Sequence, residues 1–371
     1  MGENNRMELE KQKIREDKNR NKIQETKPLV WEKIQKFPER IKNKQSIALV
    51  QLQIDYKCNM KCSHCAIEKF RQNKNKYPHK LDIEKIKDIA NQIHEEGLVS
   101  VCISGGEPLI FPNLEEIIDA IQPERFVLSI DTNGLELNEE KIKWLVNKGV
   151  NRIHLSLDGL ERNHNRFRKT KKNSWAHNVK MLPLCKKHGL DVVINIVATK
   201  DLVQSKEMEK QLEFIEQFGL HASMIYAKPV GTFEEAKDQV LDQNDLDYLE
   251  SLTKKYNCST HLTENHGQYF GCLCFKRHFS ITAFGDVLPC PWIPISMGNV
   301  FEERLKTILD RGLANKWFSF DIKETCMSGN KDSYFYQNII SQIETFDEYP
   351  VHYTKINWHL EYFNKKDFTN G

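Results

Sequence analysis

The sequence lacks the features that mark several classes of protein. It has no run of eighteen apolar residues and no signal-peptide pattern after Met1, so it predicts neither a membrane span nor export. Its 54 Lys and Arg residues nearly balance 52 Asp and Glu residues, and the formal net charge is only +2. Such a charge gives no strong field for nucleic acid or an anionic membrane. We therefore expect a cytoplasmic protein that binds neither.

Cysteine, in contrast, is present at ten positions. In a chain without an export signal, clustered cysteines are better explained as metal ligands than as disulfides. In the run CNMKCSHC, Cys58, Cys62 and Cys65 have the spacing C-x-x-x-C-x-x-C. Three such thiolates can ligate three irons of a 4Fe–4S cluster and leave the fourth iron open to a substrate or cofactor. A broken zinc site or chance is the alternative for this run taken alone.

Two later motifs give the cysteine run its context. The run SGGEP, residues 104–108, follows an apolar stretch, and HLSLDG, residues 154–159, is followed by Arg168. In order and approximate spacing, the three motifs resemble the radical S-adenosylmethionine (SAM) superfamily over residues 46–228. The resemblance implies that the amino and carboxylate groups of SAM chelate the open iron.

The same resemblance implies a set of SAM-binding residues, namely Gly105, Gly106, Glu107, Pro108, Ser156, Arg168 and Asn195. The glycine pair permits close backbone approach, Glu107 would meet the methionyl ammonium, and Ser156 would donate to the carboxylate or ribose. Arg168 can pair bidentately with a carboxylate, although its basic surroundings, FRKTKK, would also suit a surface position. Asn195 faces the same way as Ser156 only if the fifth strand keeps register.

Strand-like and helical patterns alternate through this region. The expected strands cover residues 47–55, 98–104, 125–131, 150–158, 191–199 and 221–227. Alternation of this kind predicts a parallel sheet with helices packed outside. Six such units, as in the family that the chain resembles, indicate an α/β fold with a partial (β/α)6 TIM-like barrel.

The expected strands have one apolar and one polar face. In the first strand, Val50 and Leu52 oppose Gln51 and Gln53. Because buried polar groups need partners, a polar barrel interior favours a cavity for polar ligands over a dry core. Cys102 falls on the polar face, where a thiol could return a hydrogen atom to a substrate radical, as in radical epimerases. Its other interpretation is a small buried residue.

The C-terminal part contains a second group of cysteines. Cys272, Cys274 and Cys290 lie around a predicted β-hairpin at residues 279–288, and Cys326 follows. This part resembles the front half of the SPASM auxiliary-cluster domain, or its shortened twitch form, and implies a small α+β domain. No later C-x-x-C-x-x-C run exists, so we expect one auxiliary 4Fe–4S cluster on Cys272, Cys290 and Cys326, with Cys274 left open. Ordinary half-buried cysteines are the alternative.

The number of ligands matters, because three would leave an open iron for substrate whereas four favour electron transfer.

The predicted organisation is a charged helical or partly disordered extension (1–44), the radical SAM core (45–230), a linker helix region (231–258), the SPASM/twitch-like domain (259–345) and a tail (346–371). The extension looks too short and polar for the leader-peptide-binding domain of some radical SAM peptide maturases.

Three functions follow from these observations. The first is a radical SAM enzyme that cleaves SAM and abstracts hydrogen from a peptide, forming a crosslink, thioether or epimerised residue. The second acts on a sugar or nucleotide as a dehydrogenase, decarboxylase or epimerase. The third, a non-enzymatic Fe–S electron carrier, leaves SGGEP, Ser156 and the polar barrel unexplained. Either enzyme would need an electron donor such as flavodoxin or ferredoxin.

Overall fold

The computed structural model describes residues 22–72, 77–260, 262–263 and 269–365. Its strands are β1 Leu49–Asp55, β2 Ser100–Gly105, β3 Val127–Thr132, β4 Arg152–Ser156, β5 Asp191–Ala198, β6 His221–Tyr226, β7 Cys258–Thr260, β8 His278–Ile281, β9 Val287–Leu288, β10 Ile295–Ser296 and β11 Val351–His352. Nine of these form one sheet in the order β7-β6-β5-β4-β3-β2-β1-β8-β9, and β10 pairs with β11.

Helices connect the strands and cover the sheet. They are α1 Pro28–Gln35, α2 Phe37–Lys42, α3 Glu68–Gln72, α4 Ile83–Glu95, α5 Leu114–Ile121, α6 Glu139–Asn147, α7 Glu161–Arg168, α8 Ser174–Lys187, α9 Lys200–Gln204, α10 Glu207–Glu216, α11 Gln243–Thr253, α12 Leu305–Ala314, α13 Ser341–Ile343 and α14 Tyr362–Lys365. A π-helical turn covers Tyr336–Ile340. Among the described residues, no helix is both long and apolar enough to span a membrane.

Local sequence explains how a typical barrel helix forms. In α4, Ile86, Ile89 and Ile93 recur at three- and four-residue spacing and are all buried against the sheet. Asp82 caps the helix by accepting a hydrogen bond from the backbone N–H of Lys85 at 2.7 Å. The periodicity and the cap agree, so the helix begins where its apolar face begins.

The six predicted core strands are present, and β1 to β6 are parallel to their neighbours. The prediction of an α/β partial barrel is therefore confirmed. The fifth strand keeps its register, since Ser156 of β4 aligns with Asn195 of β5 and both side chains are half-buried on the same face. The opposite face, with Val50 and Leu52, is fully buried beneath the helices.

The predicted hairpin is also present, but it does not stand apart from the barrel. Strand β8 runs parallel to β1, with His278 beside Leu49, and β9 returns antiparallel to β8. The other edge is extended by β7, which lies parallel to β6. The C-terminal region is thus built directly onto the first strand of the core.

The described part of the N-terminal extension is packed against the core. Helices α1 and α2 bury Val30, Phe37 and Ile41. The ammonium of Lys27 donates to the carbonyls of Pro123 and Phe126, both at 2.7 Å, and burial lowers its pKa to about 8. Residues 1–21 of the predicted extension lie outside the described residues.

The C-terminal tail is packed as well. Strand β11, within the tail, aligns Val351 with Ile295 of β10. The indole nitrogen of Trp317 donates to the carbonyl of Trp358 at 2.7 Å, and Phe363 packs against the same indole. These contacts connect the tail to the region that carries the second cysteine group.

Candidate iron–sulfur and substrate sites

Cys58, Cys62 and Cys65 lie on the loop between β1 and α3, at the carboxyl end of the first barrel strand. All three are free, half-buried thiols. The backbone N–H of Met60 lies 3.4 Å from the sulfur of Cys58, and the guanidinium of Arg168 lies 3.9 Å from the sulfur of Cys62. Hydrogen-bond donors directed at sulfur favour the thiolate, and such donors help to set the reduction potential of Fe–S clusters. The three residues therefore fit the cluster that the spacing predicts.

Thr232, which the sequence analysis missed, fixes the shape of this loop. Its hydroxyl accepts from the backbone N–H of Cys65 at 2.8 Å and donates to the carbonyl of Ser63 at 3.0 Å. Thr232 follows Gly231, which has φ +64° and on which a Cβ would lie 2.0 Å from the carbonyl oxygen of Cys65. A glycine is therefore needed for the segment after β6 to approach the cysteine loop.

The glycine pair of SGGEP joins β2 to the same loop. The N–H of Gly106 donates to the carbonyl of Asp55 at 2.8 Å, and the N–H of Glu107 donates to that of Lys57 at 2.9 Å. A Cβ on Gly106 would lie 1.9 Å from the oxygen of Lys57. The close backbone approach expected here is thus made to the chain's own cysteine loop. Pro108 begins the short 3₁₀ turn that follows.

The carboxylate of Glu107 is buried and bound on both oxygens. One accepts from the hydroxyl of Thr132 at 2.7 Å and the N–H of Leu109 at 3.0 Å; the other accepts from the N–H of Asn133 at 2.7 Å. The residue is 1% exposed, and burial raises its pKa to about 7. Glu107 therefore holds the loop after β3, and its contact with a methionyl ammonium stays a prediction.

Arg168 lies inside the protein rather than on its surface. Its Nε and Nη2 both lie 2.6 Å from Oδ2 of Asp158, whose other oxygen accepts from the N–H of Val197 at 2.8 Å. Burial opposes ionisation of Asp158, but the charges of Arg168 and of two histidines together with the hydrogen bond from Val197 outweigh it, and the pKa of this carboxyl is lowered. The carboxylate that Arg168 clamps in this structure is thus Asp158, the one acidic residue of the HLSLDG motif.

The polar face of the barrel contains a connected group around Asp131. Its carboxylate lies 2.8 Å from Nδ1 of His154 and accepts from the amide of Gln51 at 2.8 Å. Burial opposes its ionisation, but the hydrogen bond and charge of His154 outweigh it, and the pKa falls to about 2. With Nδ1 protonated, Nε2 of His154 remains an acceptor with no hydrogen-bond partner among the described residues. The imidazole therefore offers a hydrogen-bond acceptor on the polar face of the barrel.

Cys102 lies beside this group. Its sulfur is 3.7 Å from Nδ1 of His154, and the residue is 1% exposed. Burial, followed by the charge of Asp131, raises the pKa of the thiol well above its usual value, so the group stays protonated. The hydrogen-donor role of Cys102 stays a prediction, and little of its surface is open to a substrate.

The second cysteine group brings four thiols together. Cys272, Cys274, Cys290 and Cys326 are all buried. The sulfurs of Cys272 and Cys274 are 3.5 Å apart. Cys290 lies close enough to act electrostatically on Cys274, and Cys272 and Cys290 act in the same way on Cys326. The hydrogen bond from Cys274 lowers the pKa of Cys272 to about 6. Cys274, left open by the sequence, thus lies within a set that could ligate all four irons of a 4Fe–4S cluster.

Two buried lysines flank this four-cysteine group and were missed from the sequence. Lys276 is 1% exposed and donates to the carbonyls of Phe270 and Ile322 at 2.8 and 2.9 Å. Lys228 donates to the carbonyl of Tyr226 at 2.8 Å, and its ammonium lies 4.3 Å from the ring centre of Trp292. Lysine is usually exposed, so no sequence pattern distinguished these two from the many others.

Two cysteine sets, one at the mouth of a partial barrel and one beside it, define an iron–sulfur protein. Residues 53–210 match the Radical SAM superfamily, and residues 272–330 match SPASM, an iron–sulfur cluster-binding domain. The chain therefore carries a region that matches a radical SAM domain and a region that matches a SPASM domain. The two matched domains imply a 4Fe–4S cluster with SAM and auxiliary iron–sulfur.

Individual relatives share about a quarter of their aligned residues with this chain. The antilisterial bacteriocin subtilosin biosynthesis protein AlbA of Bacillus subtilis is 24% identical over 284 residues, 71% of this chain and 60% of AlbA. GTP 3',8-cyclase of Rhizobium leguminosarum is 26% identical over 205 residues, 53% of this chain and 57% of the cyclase. The chain thus spans less than two thirds of either relative.

A solved structure shares the fold. Streptococcus suis SuiB bound to its precursor peptide SuiA superposes with a TM-score of 0.57 and 18% sequence identity. The match covers 76% of this chain and 68% of SuiB. At 18% identity this match supports a shared fold and nothing further.

Proposed function

We propose that this radical SAM enzyme modifies a peptide, forming a crosslink, a thioether or an epimerised residue. The observation that carries the proposal is the four-cysteine group built onto the first barrel strand through β8. Support comes from AlbA, a bacteriocin biosynthesis protein, and from SuiB, which binds a precursor peptide; their matches cover 71% and 76% of this chain. A substrate would lie between the polar barrel face and this group.

In this proposal Cys58, Cys62 and Cys65 hold the cluster whose open iron binds SAM. Cluster and SAM together supply a 5′-deoxyadenosyl radical by reductive cleavage of SAM. The chain's own residues position these groups: Glu107 fixes the loop after β3, and Asp158 fixes Arg168 beside Cys62. The SAM contacts expected from the sequence remain part of the proposal, namely Gly105, Gly106, Glu107, Pro108, Ser156, Arg168 and Asn195.

The four-cysteine group would serve electron transfer rather than substrate binding. Cys272, Cys274, Cys290 and Cys326 together leave no iron without a protein ligand. This extends the expected three-ligand set by Cys274, whose sulfur lies 3.5 Å from that of Cys272. Flavodoxin or ferredoxin remains the proposed electron donor.

Iron analysis and SAM cleavage test the proposal. Anaerobically reconstituted protein should contain two 4Fe–4S clusters per chain and, once reduced, should release 5′-deoxyadenosine from SAM. Cys58→Ala should abolish this release because one iron loses its ligand, while iron at the four-cysteine group is retained. Cys185→Ala, which alters a buried cysteine of α8, is the matched control. Unchanged SAM cleavage by Cys58→Ala would refute the assignment.

A second candidate is modification of a nucleotide or sugar. It is favoured by the similarity to GTP 3',8-cyclase and by the polar barrel face around Asp131 and His154. The two candidates separate when reduced enzyme and SAM are mixed either with short peptides encoded beside its gene or with GTP. Matching 5′-deoxyadenosine release supports the first function if a peptide loses hydrogen, as a crosslink or thioether requires, or takes up deuterium from D₂O, as an epimerised residue requires. The same release with GTP alone supports the second.

A further inference from the structure

The four-cysteine group is flanked by two buried cations, Lys228 and Lys276. We propose that these lysines supply the counter-charge of the auxiliary cluster and raise its reduction potential, so that it takes up an electron more readily. The inference rests on the proposed function, because it requires a cluster at Cys272, Cys274, Cys290 and Cys326.

Lys276 lies on the side of Cys272 and Cys274. It follows Cys274 by two positions, and its ammonium is oriented by the carbonyls of Phe270 and Ile322. Its charge acts on Cys272, where it favours the thiolate. A lysine held in this way presents a fixed positive charge to that side of the group.

Lys228 lies on the side of Cys326. Its Cε and the sulfur of Cys326 lie 3.4 and 3.0 Å from the point that a Cβ on Gly329 would occupy. The ammonium donates to the carbonyl of Tyr226 and lies over the ring of Trp292, two positions after Cys290. Burial raises the pKa of the Cys326 thiol, and the positive charge of Lys228 opposes that rise.

Neither lysine has an acidic partner in the part of the chain that the structure describes. Among the described residues, no carboxylate oxygen lies within 4.0 Å of either ammonium. Lys200, in contrast, is half-buried and lies 2.8 Å from Asp242. A buried charge without a partner is costly, so the thiolates of the four-cysteine group are the anions that these two cations can neutralise.

The SAM-binding site has a different charge balance. Arg168, the cation beside Cys62, is already paired with Asp158, and the carboxylate of Glu107 is buried nearby. Reduction adds a negative charge to a cluster, and an unpaired positive charge stabilises the reduced form more than the oxidised form. The two lysines therefore favour electron uptake at the four-cysteine group over the SAM-binding site.

Reduction potentials test this inference without a substrate. The full chain carrying Cys58→Ala, Cys62→Ala and Cys65→Ala leaves only the auxiliary signal in an EPR-monitored redox titration. In this background, Lys228→Met and Lys276→Met should each lower the ratio of reduced to oxidised cluster about tenfold at fixed potential. For a one-electron couple this corresponds to a reduction potential that is lower by ~59 mV. Arginine at either position should preserve the potential. Lys306→Met, an exposed lysine of α12 paired with Asp310, is the control.

The outcomes separate the inference from the function beneath it. Intact auxiliary clusters with unchanged potentials in both methionine variants overturn the inference and leave the proposed function standing. A wild-type chain whose iron accounts only for the SAM-binding cluster overturns both. If Lys276→Met fails to hold iron, the test rests on Lys228→Met and Lys276→Arg. A lowered reduction potential in Lys228→Met together with a preserved one in Lys276→Arg supports the inference. Any other pair of results overturns it.

Discussion

The carboxylate of Glu107 illustrates how much one buried residue contributes to the SAM-binding end of the barrel. Its two oxygens accept from Thr132, Leu109 and Asn133, and the amide of Asn133 lies 4.0 Å from the sulfur of Cys58. The side chain therefore couples the loop after β3 to the cysteine loop. Because water is excluded, this coupling depends on the protonation state of a single group.

A pH dependence follows from the pKa of Glu107, which burial raises from 4.5 to about 7. The unfolded chain ionises this group near pH 4.5, whereas the folded chain retains the proton until pH 7. The folded state thus binds more protons between these values, and its stability falls as pH rises through that window, by roughly 3 kcal/mol for this group. Denaturant unfolding of the cluster-free protein at pH 5 and pH 8 measures the difference.

The matched variants are Glu107→Gln and Glu116→Gln, the latter at an exposed position of α5. Glu107→Gln removes the titrating group, so its loss of stability between pH 5 and pH 8 should be smaller than that of the wild type. Glu116→Gln should behave as the wild type does. Equal losses in all three proteins would mean that Glu107 titrates near its ordinary value.

At the scale of elements, the loop after β6 supports the cysteine loop from outside the motif. Thr232 accepts from the N–H of Cys65 and donates to the carbonyl of Ser63. Thr232→Val keeps the shape of the side chain but removes the hydroxyl. The two exposed hydrogen bonds to the cysteine loop are lost, at a cost of about 0.5–1.5 kcal/mol each. We expect the variant to lose iron at the SAM-binding cluster and to release about tenfold less 5′-deoxyadenosine.

Iron at the four-cysteine group should be unaffected by Thr232→Val, which distinguishes a local effect from misfolding. Thr345→Val is the control, since its exposed hydroxyl donates to the carbonyl of Gln342 in its own helical segment. A Thr232→Val protein with full iron content and normal SAM cleavage would show that the cysteine loop keeps its shape without this support.

The elements themselves were largely predictable from the sequence. Alternating polarity around Val50 and Leu52 gave the barrel strands and their faces, because that pattern is local. The pairing of β8 with β1 was not predictable, since it joins segments far apart in the chain and no short pattern encodes it.

Among the site residues, motifs located the cysteines and SGGEP but not their partners. Thr232 and Lys228 have common residue types in unremarkable surroundings, and only the fold brings them to the clusters. Glu107 was expected to face the cofactor, yet its oxygens are occupied by backbone and hydroxyl donors. The residue type determines the chemistry of a side chain, whereas the groups that it contacts are determined by tertiary packing.

At the scale of the whole molecule, the parallel pair β1–β8 makes the barrel and the SPASM region one structure. A chain that ends after residue 260 would lose β8 and leave β1 as an open edge, with a row of unpaired N–H and carbonyl groups. We expect this truncated chain to aggregate, which size-exclusion chromatography would measure. A single monomeric peak would contradict the prediction.

The control for truncation is the full chain with alanine at all four auxiliary cysteines, Cys272, Cys274, Cys290 and Cys326. It lacks the cluster ligands but retains β8. If this variant stays monomeric while the truncated chain aggregates, the missing strand is the cause. Aggregation of both would instead assign the effect to the loss of the cluster.

The separation of β1 from β8 along the chain also has a consequence for biosynthesis. Gln51 and Ser280, which meet across this pair, are 229 positions apart. During translation, the edge of β1 that pairs with β8 therefore stays unpaired until β8 has been synthesised. Long-range contacts of this kind slow folding. The cysteines that serve SAM are translated early in this interval, whereas Cys290 and Cys326 follow β8, so the ribosome completes the ligand set of the SAM-binding cluster well before that of the auxiliary group.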